Sequence, residues 1–199
     1  MGKAYSEDEK KEIRQKIWEV GLEMFHDDNH KSLNIRELTE RVGISLGSYY
    51  NFYKNKKSLI RDIMEYRMKQ KLNAIRITFP DSRENPVQYV ANLLYINFWD
   101  MGEKVQNKAI YKEMLDTVLT DEKDVMNQMS LSYEIFFGEL TAYWEKENLT
   151  YEMDIQGVLS LIYGLFFFFG AKKYMEESYF EELLKEFIYS GMNRYLKCY

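Results

Sequence analysis

The sequence has few of the residues that cross-link or interrupt a chain. It holds one cysteine, Cys198, and two prolines in 199 residues, which excludes an internal disulfide framework and a cysteine-based zinc site. Ten glycines are too few for a collagenous or low-complexity protein. The charged start, MGKAYSEDEKKE, has no apolar stretch and predicts no signal peptide. Because a single cysteine suits a reducing compartment, we expect a cytoplasmic protein.

Long hydrophobic runs are also scarce. The longest, Val158–Ala171, is bounded by Gln156 and Lys172 and falls short of the roughly 20 residues that a membrane-spanning helix needs. We therefore predict a helix buried in protein and no membrane partner. The chain is nevertheless rich in aromatics, with 17 Tyr, 12 Phe and 3 Trp, and this composition excludes a disordered chain.

Signatures of catalysis and of metal binding are missing from the sequence. It contains no GxSxG, no Walker glycine loop, no HExxH and no GxGxxG. His26 and His30 have the i, i+4 spacing of metal ligands, but no third ligand is fixed beside them. We predict no metal, no cofactor and no enzymatic activity.

Positive charge is concentrated in one part of an otherwise acidic chain. The formal net charge is −5, yet residues 31–73 hold ten Lys and Arg against four Asp and Glu. Such asymmetry suggests that the basic segment and the acidic remainder do different jobs.

Apolar residues recur at helical spacing through most of the chain, and no segment shows sustained strand alternation. We therefore predict an all-α fold of about nine helices. The turn-rich FPDSRENP, with Pro80 and Pro86, marks a border. We expect an N-terminal three-helix domain over residues 1–54 and a C-terminal helical bundle over 55–199, with helix 55–79 as the connection.

The segment 34–59, NIRELTERVGISLGSYYNFYKNKKSL, predicts two short helices joined by a tight turn. Asn34 can cap an eight-residue helix, IRELTERV, which Gly43 ends. Ser45 can cap the next helix, LGSYYNF, and Asn55 can cap a long one. A short link of this kind between two helices is typical of a helix-turn-helix, whose second helix enters the DNA major groove.

This segment resembles the DNA-binding domain of TetR-family transcriptional regulators. About sixty residues, starting in the first helix, resemble that domain, and several positions match the family pattern: Gly43, Ser45, Gly47, Tyr50, Phe52, Lys56 and Leu59. Tyr49 replaces the usual Leu, and Leu46 stands where a polar residue is common. The resemblance implies a dimeric regulator with an N-terminal DNA-binding head and a C-terminal domain that binds a small inducer.

Residue types in the segment suggest how it would contact DNA. Lysines neutralise phosphates, tyrosine and serine hydroxyls bond phosphates or base edges, arginine reads guanine, and apolar side chains touch thymine methyls. Lys57 is as easily a solvated charge. The predicted DNA-binding residues are Asn34, Arg36, Ser45, Leu46, Ser48, Tyr49, Tyr50, Tyr53, Lys54 and Lys56.

The C-terminal domain holds most of the aromatics. Bulky core packing explains them, but a bundle rich in Tyr and Met can also line an apolar cavity with a few polar groups, and the resemblance implies an inducer pocket here. We expect a flat, amphipathic or aromatic ligand. The predicted liners are Tyr95, Trp99, Tyr111, Met114, Phe137, Tyr163 and Phe166.

The last two long helices carry a stripe of small residues that would let another helix approach closely. Two such helices from each subunit would form a four-helix interface with two-fold symmetry, as the resemblance implies. Packing of the stripe inside one chain is the alternative. The predicted interface residues are Gly157, Ser160, Gly164, Ala171, Leu184, Phe187, Ile188, Gly191, Met192 and Tyr195.

These observations together predict a homodimeric, ligand-responsive transcriptional repressor. It would bind a palindromic operator in double-stranded DNA and be released by a small-molecule inducer. The alternative is a helical protein that binds a small molecule or a partner protein but no specific DNA sequence. The apolar Leu46 and Tyr49 and the modest positive charge of residues 31–73 keep that alternative open.

Overall fold

The computed structural model describes residues 5–27, 32–120 and 122–199, without the side chains of residues 118–120 and 122–129. The fold is all-α, as predicted, with nine α-helices among these residues. They are α1 (Glu7–His26), α2 (Ile35–Val42), α3 (Leu46–Tyr49), α4 (Lys56–Ile75), α5 (Pro86–Asn107), α6 (Ala109–Thr120), α7 (Glu122–Lys146), α8 (Ile155–Ala171) and α9 (Glu177–Tyr195).

The chain forms two compact units. Residues 1–70 and 104–125 make up the first, and residues 71–103 and 126–199 make up the second. The first unit thus takes in α6, which follows α3 by about sixty residues in the sequence.

The core of the first unit is built by α1, α2, α6 and the start of α4. The capping box of Ser6 and Glu9 starts α1, and Ile17 and Leu38, both fully buried, pack α1 and α2 into one apolar cluster. Tyr111 and Met114 of α6 belong to the same cluster. The three helices of the head therefore share their core with a helix from much later in the chain.

Aromatic packing dominates the second unit. Trp144 of α7 is fully buried, and its indole Nε1 donates a hydrogen bond to Ser82 Oγ at 2.7 Å. Ser82 ends a 3-10 helix, Arg76–Ser82, in the stretch predicted to be rich in turns. Phe98 of α5 meets Phe166 of α8 edge to face, with ring centroids 5.2 Å apart.

Helices α8 and α9 pack closely because small residues face large ones. A side chain at Gly164 would meet the ring of Phe187 at 2.9 Å, and one at Gly191 would meet Leu161 at 2.7 Å. At Gly157 it would overlap the ring of Tyr195. The glycines are therefore required for contacts within one chain.

A two-stranded sheet, which the sequence pattern did not predict, lies beside these helices. Strand β1 (Tyr151–Met153) pairs antiparallel with β2 (Leu196–Cys198), with Tyr151 opposite Cys198. Each strand has only three residues, too few for a pattern of alternating apolar residues to appear in the sequence.

One helical stretch of the described chain, Ile155–Tyr174, is long and apolar enough to cross a membrane by length and composition alone. It comprises α8 and the 3-10 turn after it. Half of it is buried in the protein, where it packs on α9, and a core helix has the same composition.

Candidate nucleic-acid interface

The turn between α2 and α3 has the geometry that the sequence predicted. Asn34 Oδ1 accepts hydrogen bonds from the backbone N–H groups of Arg36 and Glu37, at 3.0 and 3.4 Å. Gly43 ends α2 with φ of 84° and ψ of 30°, in the left-handed region that glycine adopts without steric cost. Its N–H donates to Thr39 O at 2.9 Å. Asn34 is thus engaged in capping α2.

Helix α3 begins at a hydroxyl cluster. Ser45 Oγ accepts from the backbone N–H of Ser48 at 3.0 Å and lies 2.9 Å from Ser48 Oγ. Tyr5, which precedes α1, donates its hydroxyl to Ser48 Oγ at 3.3 Å, and its ring lies 5.9 Å from that of Phe52. Residue-type reasoning missed Tyr5, although the capping box after it locates the start of α1.

Several predicted DNA-binding residues lie on the surface. The side chains of Arg36, Ser45 and Lys54 are exposed, and Leu46 is partly exposed. Tyr50 is 60% exposed. These exposed side chains supply guanidinium, ammonium, hydroxyl and phenol groups, which suit phosphates and base edges.

The structure buries three residues that the sequence analysis assigned to DNA. Tyr49 is 1% and Tyr53 4% exposed, and Ser48 is also buried. Tyr49 stacks on Tyr53 at 5.7 Å, and Tyr53 accepts a hydrogen bond from Trp18 Nε1 at 2.7 Å. Burial raises the pKa of Tyr49 to about 12. Contact between Tyr49 and a thymine methyl was therefore a wrong prediction.

The physical reason for this burial is the shortness of α3. The helix has four residues, fewer than the LGSYYNF predicted, and ends at Tyr49. The same few residues must supply both its exposed face and the side that closes the apolar cluster, so the large Tyr49 faces inward.

Two lysines at the start of α4 have different surroundings. Lys57 is exposed. Lys56, predicted to bind phosphate, forms an ion pair with Glu113 of α6, with Nζ 2.6 Å from Oε1. Asn55 caps the helix, since its Oδ1 accepts from the backbone N–H of Ser58 at 2.9 Å.

Gly43→Ala tests the turn. Because an L-residue in the left-handed region costs about 1 to 2 kcal/mol, we expect this variant to be destabilised by that amount in urea unfolding. Gly47→Ala is the matched control, since a side chain there meets only ordinary van der Waals contact. Equal stability of the two variants would contradict the role given to Gly43.

The predicted ligand-pocket residues divide between the two units. Tyr111 and Met114 lie in the core of the first unit, where the Tyr111 ring is 5.9 Å from Phe25. Tyr95, Trp99, Phe137, Tyr163 and Phe166 lie in the second.

Within the second unit these residues have different surroundings. Tyr95 and Trp99 stack at 6.0 Å, and Phe137 stacks on Tyr133 at 6.1 Å. Burial raises the pKa of Tyr133 to about 12. The sequence analysis missed Tyr133, which precedes Phe137 by one helical turn.

The predicted dimer-interface residues also have different locations. Leu184, Ile188 and Met192 are buried in the single chain. Gly157, Gly164 and Gly191 lie against Tyr195, Phe187 and Leu161 of the same chain, which agrees with the alternative of packing inside one chain, and a role for these residues in a subunit interface stays a prediction. Ser160 is exposed, Ala171 is partly exposed and Phe187 is 39% exposed.

The two histidines with the spacing of metal ligands are His26 and His30. His26 is the last residue of α1, whereas His30 lies outside the described residues.

Comparison by sequence finds no matching family model and no matching curated protein. Comparison by structure finds similar folds. RolR in complex with the ligand resorcinol has a TM-score of 0.66 at 10% identity, over 96% of this chain and 90% of that one. A TetR transcriptional regulator from Rhodococcus sp. RHA1 has a TM-score of 0.62 at 16% identity, over 91% and 94%.

A TetR transcription regulator from Haloarcula marismortui matches over 94% of this chain and all of its own, with a TM-score of 0.51 at 13% identity. These matches span nearly the whole length of both partners, so the likeness extends well beyond the helix-turn-helix. The resemblance seen in residues 34–59 is thus confirmed at the level of structure, and the chain has the fold of TetR-family transcriptional regulators.

Proposed function

We propose that this protein is a cytoplasmic, dimeric transcriptional repressor that binds a palindromic DNA operator and is released by a small-molecule inducer. The observation that carries the proposal is the capped α2–turn–α3 unit, in and beside which Arg36, Ser45, Tyr50 and Lys54 are exposed. The fold shared with TetR-family regulators supports it. In this proposal the protein has no catalytic role.

The head, residues 1–54, would place α3 in the major groove. Lys54 and Lys57 would neutralise phosphates at the groove edge, and the Tyr50 phenol would donate to a phosphate oxygen. Arg36 would contact guanine or phosphate, and Leu46 would contact a thymine methyl. Helix α4 would connect this head to the rest of the chain.

An exposed face of α8 and α9 would form the dimer interface. Phe167 is 66%, Leu183 46% and Tyr179 60% exposed, and Ser160 is exposed about two helical turns before Phe167. Large apolar side chains concentrated on one surface mark an interaction site. This face replaces the buried residues of the first prediction.

The inducer would bind among the aromatics of the second unit. Tyr133 and Phe137 stack there, and a phenol with a pKa of about 12 is a neutral hydrogen-bond donor at physiological pH. An apolar surface with such a donor suits an amphipathic aromatic ligand. RolR, which shares the fold, was solved with resorcinol bound. The inducer would act by binding better to a dimer whose heads are wrongly spaced for the operator.

Selection from random DNA tests the proposal. The purified full chain should enrich one palindromic sequence, with half-sites centred about 34–36 Å apart. Footprinting of the enriched DNA should show protection of two successive major grooves. The proposal fails if no sequence is enriched above random DNA at low salt, and the alternative of a ligand- or partner-binding protein would then be favoured.

A further inference from the structure

Lys56 is held by a carboxylate from a distant part of the chain. Its Nζ lies 2.6 Å from Oε1 of Glu113, and each side chain is about one-third exposed, at 32% and 33%. Lys56 begins α4 and Glu113 lies in the middle of α6, so the pair joins two helices of the first unit. The ammonium is therefore partly accessible to solvent while already paired.

The pair lies in an open groove between α4 and α6, with a volume of about 440 Å³. Lys57 and Lys112 also line it, as do Asp116 and Thr117. Among the residues that the structure describes, none donates a hydrogen bond to Glu113 Oε2, which is buried. The interaction of this carboxylate therefore depends mainly on Oε1 and its contact with Lys56.

We infer that Glu113 is an intramolecular competitor of the DNA backbone for the Lys56 ammonium. This inference rests on the proposed function, in which the start of α4 meets DNA phosphates. A phosphate that approaches Lys56 must displace the Glu113 carboxylate or bind with the carboxylate's repulsion nearby. Either event makes DNA binding weaker than it would be with a free lysine.

The core of the first unit fixes the placement of Glu113. Its neighbours Tyr111 and Met114 are buried in that core, so α6 holds the carboxylate beside Lys56. A phosphate therefore meets Lys56 with its competitor already in place.

Glu113→Gln tests the inference, because it removes the charge and keeps the shape. We expect affinity for a selected operator to rise by up to about fivefold per head, the upper end of the range for ion pairs of this exposure. The control is Glu65→Gln, which removes the same charge from another ion pair of the first unit, that with Lys69 at 2.5 Å. Fluorescence anisotropy at fixed salt measures both variants.

A double-mutant cycle with Lys56→Ala separates the pair from the general change in charge. Glu113→Gln should no longer tighten binding in the Lys56→Ala background beyond the effect of Glu65→Gln. The inference is wrong if the gain persists there, or if Glu113→Gln equals its control in the wild-type background. Glu113→Asp, which keeps the charge but shortens the reach, should tighten binding too and replaces Glu113→Gln if that variant unfolds.

Acylation of lysines by acetic anhydride, followed by mass spectrometry, measures how strongly the ion pair protects Lys56 in the absence of DNA. Lys56 should react faster in Glu113→Gln than in wild type, while Lys57 stays unchanged. Faster acylation with no DNA binding by any variant would mean that the proposed function is wrong. DNA binding by wild type without the expected gain would mean that the competition is wrong.

Discussion

Replacing Lys54 and Lys57 together with glutamine is expected to lower operator affinity about a thousandfold at 0.1 M salt. Both side chains are exposed and follow α3 directly in the sequence, so in a dimer four phosphate contacts would be lost. Each lost contact reduces the slope of log K against log salt by about 0.9. The measurement is operator affinity from about 50 to 200 mM salt, where the total slope should fall by roughly 3.6.

The matched control is Lys173→Gln with Lys197→Gln, two exposed lysines of the second unit. It changes the net charge equally but touches no part of the proposed interface, so both slope and affinity should stay close to wild type. Equal losses in the two double variants would show that overall charge, rather than phosphate contacts at these lysines, drives binding.

Local sequence signals predicted the backbone of the head. The cap at Asn34 and the stop at Gly43 gave the bounds of α2, Ile35–Val42, because caps act through hydrogen bonds to residues two to five positions away. The same signals located Ser45 as the start of α3. Such contacts are local, so one sequence was enough to find them.

Side-chain directions on α3 could not be found in this way. Which face of a one-turn helix is buried depends on the residues that cover it, and Tyr49 and Tyr53 are covered by α1 and by each other. The pair of Lys56 and Glu113 joins residues 57 positions apart. No local pattern connects these two positions, because their contact depends on how α6 packs in the first unit.

The small-residue stripe of α8 shows a second limit to what can be predicted from the sequence. Gly157 and Gly164 predicted a close helix–helix approach, and the structure has one, but with α9 of the same chain. The spacing of small residues predicts that another helix packs closely against α8, but it does not show whether that helix belongs to the same chain or to a second subunit. The residues left for a subunit interface are those that α9 leaves exposed.

Substitution of two of those exposed residues is expected to disrupt the dimer. Phe167→Glu combined with Leu183→Glu should convert the dimer to a monomer, because two buried carboxylates per subunit would lack partners across the interface. A monomer would then bind a single half-site with one head, and operator affinity should fall by about 10²- to 10⁴-fold. Sedimentation equilibrium measures the mass, and anisotropy with operator DNA measures the affinity.

A thermal melt of the Phe167→Glu, Leu183→Glu variant distinguishes loss of the dimer from misfolding of the subunit. Since Phe167 and Leu183 are 66% and 46% exposed in the single chain, the melting profile should still show one cooperative transition. Ile96→Glu is the control, since Ile96 is 62% exposed on α5 of the same unit and belongs to neither α8 nor α9, so dimer and affinity should persist. If the double variant stays dimeric and binds operator as wild type does, the α8–α9 face is not the interface, and the two-fold arrangement of heads must come from another surface.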